Sequence, residues 1–171
     1  VILFLNKVNA MRKTMSFLII LFLFASPVFG GAPVSGDKAP NFTLSSLAGE
    51  NFSLDALKGK VVLVGMFHIC VPCMNQAMEL NKVRDKIKSD KLVVLGINTS
   101  GDSREAVEKY LQGFPQAVTF PYLLDPEMSV HKAYKQRDMP TVLIIDSEGV
   151  LKARSPSVGA DQLVPYLEKL M

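Results

Sequence analysis

Three short apolar runs decide most of what this chain can become. Lys60–Phe67 (KVVLVGMF), Leu92–Asn98 (LVVLGIN) and Thr141–Asp146 (TVLIID) are rich in β-branched residues and show no alternation of apolar and polar positions. Runs of that kind are strands buried on both faces, so helices must lie above and below them. The segments between the runs have the matching pattern. Met74, Met78, Val83 and Ile87, with Ala77 and Leu80 beside them, repeat at helical spacing and predict a helix that starts near Val71 and turns its methionines to the core. Asp102-Ser103-Arg104-Glu105 is a capping-box pattern opening a second helix through Ala106, Val107, Tyr110 and Leu111 to a stop at Gly113. Phe120–Leu124 reads as a short strand, Ser129–Tyr134 as a short helix and Asp161–Leu170 as the last helix. Ala48-Gly49-Glu50 is a turn between two short extended pieces, and Ser147-Glu148-Gly149 a hairpin turn into Val150–Ala153. Strands alternating with helices imply crossover connections, whereas a tight hairpin adds an antiparallel edge. The expected architecture is α/β, a central mixed but mainly parallel sheet flanked by helices, with a short N-terminal β-hairpin.

The first thirty residues follow another logic. They hold Lys7, Arg12 and Lys13, no acid, an uncharged run from Phe17 to Ala25, and then Ser26-Pro27-Val28-Phe29-Gly30. Basic, apolar and small-residue regions in that order read as a secretory signal cut after about Gly30, with residues 1–10 upstream of a start at Met11 or Met15. The apolar run is too short for the ~20 residues a membrane span needs. Membrane association is therefore expected only if the leader stays attached. Residues 31–40, rich in Gly and Pro, should be an exposed lead-in, and residues 41–171 the folded domain. Beyond the leader basic and acidic side chains balance, so the formal charge of +3 belongs to the leader and gives no reason to expect a nucleic-acid partner. The domain is expected to work in the periplasm or otherwise outside the cytoplasm, where dedicated partners govern thiol chemistry.

The chain has two cysteines, both in Cys70-Val71-Pro72-Cys73, where a buried strand hands over to a helix. That placement puts the first thiol at a helix N-terminus, whose unpaired N–H groups and dipole favour a thiolate. Pro72 suits the first turn, where its missing N–H costs nothing. Cys73, one turn on, can close a disulfide with Cys70 or resolve a mixed one. The expected roles are Cys70 as nucleophile and Cys73 as resolving thiol. Structural zinc needs two further ligands, against only His68 and His131 in the chain. A purely structural disulfide across so short a step adds little stability.

Residues from about Gly36 to Leu170 resemble the TlpA/ResA-like branch of the thioredoxin superfamily. GDKAPNFTLSSLAGENFSLDALKGK from Gly36 to Lys60, CVPC at Cys70–Cys73, FPYLLDP from Phe120 to Pro126 and RDMPTVLIIDSEGV from Arg137 to Val150 carry the resemblance. It implies a thioredoxin-like fold and a redox-active Cys70–Cys73 disulfide, with no other cofactor and no metal. It further implies a cis Pro140 that forms, with Met139, a wall of the active site offering strand-like hydrogen bonds to an incoming polypeptide. The implied activity is reduction of disulfides in exported proteins, such as the haem-binding cysteines of apocytochromes, with a redox partner protein recharging the couple. The chain also departs from the family. Ile69 replaces the tryptophan usual before the first cysteine, the Lys60–Cys70 segment is one residue shorter, and Gln76 stands where a glutamate is common. Glutamine cannot exchange a proton, so pKa control by that carboxylate must be absent or come from elsewhere. Glu79, one turn further, reads as a solvated helix face. His68, if protonated, would favour the Cys70 thiolate, and otherwise it is a solvent-facing loop residue. His131 reads as a surface residue, and the methionines as packing rather than copper ligands.

Two other functions belong to related patterns. A peroxiredoxin-like peroxidase needs a threonine three residues before its cysteine, where this chain has Phe67. A copper-binding or copper-delivery protein on the same fold uses Cys-x-x-x-Cys and a distant histidine, a spacing one residue longer than here.

Overall fold

The computed structural model describes residues 31–171, so the expected leader and its cut lie outside the described residues. Strands β1 (Thr43–Ser46) and β2 (Asn51–Ser53) form the N-terminal hairpin. Then come β3 (Val61–Phe67), α1 (Val71–Lys86), β4 (Leu92–Asn98), α2 (Arg104–Gln112), β5 (Tyr122–Leu124) and α3 (Ser129–Ala133). The chain ends with β6 (Thr141–Ile145), β7 (Leu151–Ser155) and α4 (Ala160–Leu170). Among the described residues no helix is long and apolar enough to cross a membrane.

The strands form one sheet in the order β2-β1-β5-β4-β3-β6-β7. It is mixed, as expected, but parallel pairing is limited to β3–β4 and β4–β5. The other four pairings are antiparallel, which corrects the mainly parallel sheet that helix alternation suggests. The cause is α3. Its five residues, rising ~1.5 Å each, cannot carry the chain back along a strand. β6 therefore starts at the end of the sheet where β5 stops, with Thr141 opposite Met66.

Alternate residues of the central strands feed two cores. Val61, Leu63, Phe67, Val94 and Ile144 meet Leu80 and Val83 of α1 and Leu163 and Leu167 of α4. Val62, Val64, Met66, Leu95 and Leu143 meet Phe42, Leu54, Val130 and Tyr134 on the other face. The core face of α1 is Cys73, Ala77, Leu80 and Val83, whereas Met74 and Met78 are only half-buried. Ala77, Leu80, Val83 and Ile87 are buried as the helical spacing predicts; the methionines lie at the edge of that face, and two amides, Gln76 and Asn81, are buried beside it. The lead-in is exposed through Lys38 but tied to the β6–β7 hairpin: Gly36 N–H donates to Leu151 O at 2.8 Å, Ala39 N–H to Gly149 O at 2.9 Å, and Ala39 is buried.

Two glycines face each other across the centre of the sheet, Gly65 of β3 and Gly96 of β4. Both lie beneath aromatic rings. A Cβ at Gly65 would meet Phe67 Cζ at 2.2 Å, and one at Gly96 would meet Phe120 and Tyr122 at 2.8 and 2.9 Å. Phe67 and Tyr122 stack with centroids 6.0 Å apart. The glycines thus make room for an aromatic layer under the strand end that leads into Cys70.

Candidate active site

Cys70 is the N-cap of α1. Its backbone is extended, at φ −157° and ψ 156°, and its Sγ accepts the Cys73 N–H at 3.3 Å. Its carbonyl accepts the first helical bond from Met74 and a hydrogen bond at 2.5 Å from the Tyr110 hydroxyl of α2. Burial pushes that phenol up to about 12, so it stays a donor throughout the physiological range. Both sulfurs are free thiols, but they are not equivalent: Cys70 is half-buried, whereas Cys73 is 1% exposed. Cys73 Sγ accepts the His68 backbone N–H at 3.3 Å. Its pKa is nevertheless raised to about 12, first by burial and then by its hydrogen bond with Cys70.

The register of β6 on β3 brings Met139 and Pro140 to the sheet end that carries the cysteines. The Met139–Pro140 peptide bond is cis and Pro140 is buried. Ile69, Val71 and Met139 are 42, 65 and 48% exposed, so apolar side chains flank the accessible thiol in sequence and across the sheet end. Gln136, absent from the sequence reading, braces this arrangement from below. Its Nε2 donates to Met66 O at 3.3 Å and to Asp138 O at 3.2 Å, and its Oε1 accepts the Thr99 hydroxyl at 2.5 Å. Asp125 is a second unforeseen fixture: buried, it accepts the backbone N–H groups of Ser129 and Val130, each at 2.8 Å, and so caps α3. The signal for it was an acid four residues before Ser129, which fits a cap only once the helix start is known.

Gln76 is 3% exposed. Its Nε2 donates to Val158 O and its Oε1 accepts Val158 N–H, both at 2.9 Å. The amide is therefore committed to the loop before α4. Glu79 faces the same way: it accepts Ala160 N–H at 2.8 Å and pairs with Lys82 at 2.5 Å. Those contacts, Lys82 foremost, hold its carboxyl below the usual range. It is a cap for α4 rather than the solvated face expected.

The two histidines meet. His131 is half-buried rather than on the surface, its ring centroid 6.1 Å from that of His68. His68 Nε2 and His131 Nδ1 are both buried without a hydrogen-bond partner. The His68 pKa is lowered from 6.5, mainly by burial and then by His131, with Asp102 opposing. At neutral pH His68 is thus uncharged and adds no positive charge beside Cys70. An imidazole with a lowered folded pKa binds its proton more readily when unfolded, so stability intact above pH 6.5 is lost as the pH falls through that value. The urea midpoint is expected to drop between pH 7.5 and 5.5, and His68→Asn to flatten that slope. Parallel slopes for the two proteins would assign the loss to other groups. Among the described residues no three His, Cys, Asp or Glu side chains are arranged to hold a metal ion.

The family model described as AhpC/TSA family matches residues 35–154. The chain is 35% identical over 120 residues to the thioredoxin-like protein YneN of Bacillus subtilis (strain 168), an alignment covering 68% of each chain. It is 31% identical over 134 residues to the thiol-disulfide oxidoreductase ResA of the same organism, covering 77% of this chain and 73% of that one. The solved thioredoxin domain of a thiol-disulfide oxidoreductase from Bacteroides vulgatus matches with a TM-score of 0.69 and 25% identity, over 80% of this chain and 96% of that one. An accessible thiol beside a buried one, at the end of a sheet with this topology, gives those matches their chemical sense: the chain belongs to the AhpC/TSA family and is a ResA-like thiol–disulfide oxidoreductase of the thioredoxin superfamily.

Proposed function

We propose that the protein reduces disulfides of exported polypeptides, apocytochromes among them, outside the cytoplasmic membrane. The inequality of the thiols carries this reading, with Cys70 accessible and Cys73 1% exposed. The Cys70 thiolate attacks one sulfur of a substrate disulfide. A Cys70–substrate disulfide forms, and the other substrate sulfur leaves as a thiolate that takes up a proton. Cys73 then loses its proton and attacks Cys70 Sγ, which closes the Cys70–Cys73 disulfide and frees the second substrate thiol. Two electrons pass from the pair to the substrate, and a redox partner protein returns them. Ile69, Val71 and Met139 suit a polypeptide chain, and the backbone beside Pro140 offers it strand-like hydrogen bonds. The basic, apolar and small-residue order of residues 1–30 supports export. The peroxidase alternative lacks its hydroxyl, since the third residue before Cys70 is the fully buried Phe67.

The deciding measurement is the midpoint potential of the Cys70–Cys73 couple in glutathione or dithiothreitol buffers. A reductant is expected to lie below about −200 mV. A value near about −120 mV, that of a strong oxidant, would reverse the direction of electron flow.

A further inference from the structure

We infer that Gln76 is a positioning residue that sets how the protein engages polypeptide substrates, an inference that rests on the thiol–disulfide reading above. A side-chain amide that both donates to and accepts from one backbone residue mimics a strand pairing, and it does so here from inside the helix that carries the cysteines. One turn further Glu79 receives the N–H of Ala160. The loop leading into α4 is therefore fastened to α1 at two points, at Val158 and at Ala160. Between helix and loop lies a groove of about 420 Å³ lined by Pro72, Asn75, Ser157, Val158 and Gly159, which begins two residues from Cys70. A polypeptide whose disulfide reaches Cys70 is long enough to lay flanking residues over this groove, whereas a small disulfide is not. Holding Val158 in place thus bears on polypeptides more than on small disulfides.

The chemistry also explains the amide. Glutamate at position 76 would accept the Val158 N–H, but when ionised it would turn a second oxygen toward Val158 O, inside a site that is 3% exposed. Protonated, it would donate as glutamine does. The charged groups facing this site are Glu79 and Lys82 on α1 and Asp161 at the start of α4.

The test compares wild type, Gln76→Glu and Gln76→Met in reducing insulin and oxidised glutathione. At pH 7.5 both variants are expected to raise KM for insulin about fivefold more than they lower the rate with glutathione. At pH 5 the Gln76→Glu deficit relative to wild type should shrink, while that of Gln76→Met should persist, because only the former regains a donor. Equal losses on the two substrates, or a Gln76→Glu deficit independent of pH, would overturn the role. Should the variants fold poorly, hydrogen exchange in the wild type decides: a Val158 amide as labile as an open loop amide would also overturn it. A wild type inert toward both insulin and oxidised glutathione would instead refute the reductase reading on which the inference rests.

Discussion

Replacing Cys73 by serine is expected to turn the protein from a turnover oxidoreductase into a trap. Cys70 is accessible and can still open a substrate disulfide, so a covalent Cys70–substrate adduct should accumulate and be visible as a mass increase removed by reductant. Release then depends on external thiol. Effective molarities of well-placed intramolecular groups reach ~10⁵ M, ~10⁸ above a millimolar thiol; even with an external thiol ionised ~10³-fold more than Cys73, turnover should slow by up to about 10⁵-fold. Cys70→Ser should form no adduct at all. The wild type carries a further signature, because a thiol at about 12 is ionised in roughly one molecule in 10⁵ at pH 7. Burial, the foremost cause of that shift, persists when Cys70 is engaged in the mixed disulfide, whereas the hydrogen bond that Cys73 donates to a Cys70 thiolate does not. The resolving step should therefore accelerate with pH, approaching tenfold per unit between pH 7 and 9, and alkylation of the reduced protein should mark Cys70 first. A Cys73→Ser protein that turns over like wild type, or an adduct on Cys70→Ser, would reverse the assigned roles.

The sequence discloses the parts of this site that depend on pattern and hides those that depend on partners brought in from elsewhere. β3, β4 and β6 were readable because burial on both faces leaves an uninterrupted apolar run, and the α1 start because Cys70 and Pro72 occupy positions that suit a cap and a first turn. Helix alternation overstates the parallel pairing, since a Ser129–Tyr134 helix implies a crossover that the five residues of α3 cannot make. On α1 the spacing places Ala77, Leu80, Val83 and Ile87 in the core but sets the methionines too deep and omits two buried amides. Gln76 and Asn81 are polar yet buried, and their partners, Val158 for one and Ala117 and Thr119 for the other, lie 36 to 82 residues away. A one-dimensional pattern assigns such residues to solvent. Gln136, Tyr110 and the meeting of the two histidines were hidden likewise: each is ordinary in its local sequence and acquires its role when the ends of β3, β4 and β5 converge. The Ser103 hydroxyl shows the finer grain of the same effect. It caps α2 by accepting Ala106 N–H at 3.2 Å, while Asp102 of the expected capping pattern turns back to accept from Asn98 at 2.9 Å.

Gly65→Ala is expected to be the most damaging single-methyl change in the sheet. Three atoms of the Phe67 ring would lie 2.2 to 2.9 Å from the new Cβ, too close for any of them to stay. The ring has nowhere to go: Phe67 is 0% exposed and stacked on Tyr122. Moving it disturbs the strand end whose Phe67 carbonyl accepts Thr99 N–H at 3.0 Å, three residues before Cys70. Overpacking of this kind costs about 1–3 kcal/mol and occasionally more, and the stiffness of an aromatic ring held on both sides places this case at about 3 kcal/mol. For a domain of this size that lowers Tm by roughly 10 °C. Gly149→Ala is the control, since its added Cβ meets nothing within 4 Å and only the backbone, at φ 82°, is strained. Its cost should stay near about 1 kcal/mol. The mechanism is tested by the double variant Gly65→Ala/Phe67→Leu, in which the obstructing ring is gone. If steric conflict with Phe67 is the cause, the double variant is less destabilised than the two single losses added together, by about 1 kcal/mol or more. Strict additivity, or a Gly65→Ala protein as stable as Gly149→Ala, would show that β3 shifts to admit the methyl and that the glycine is not there to seat the ring.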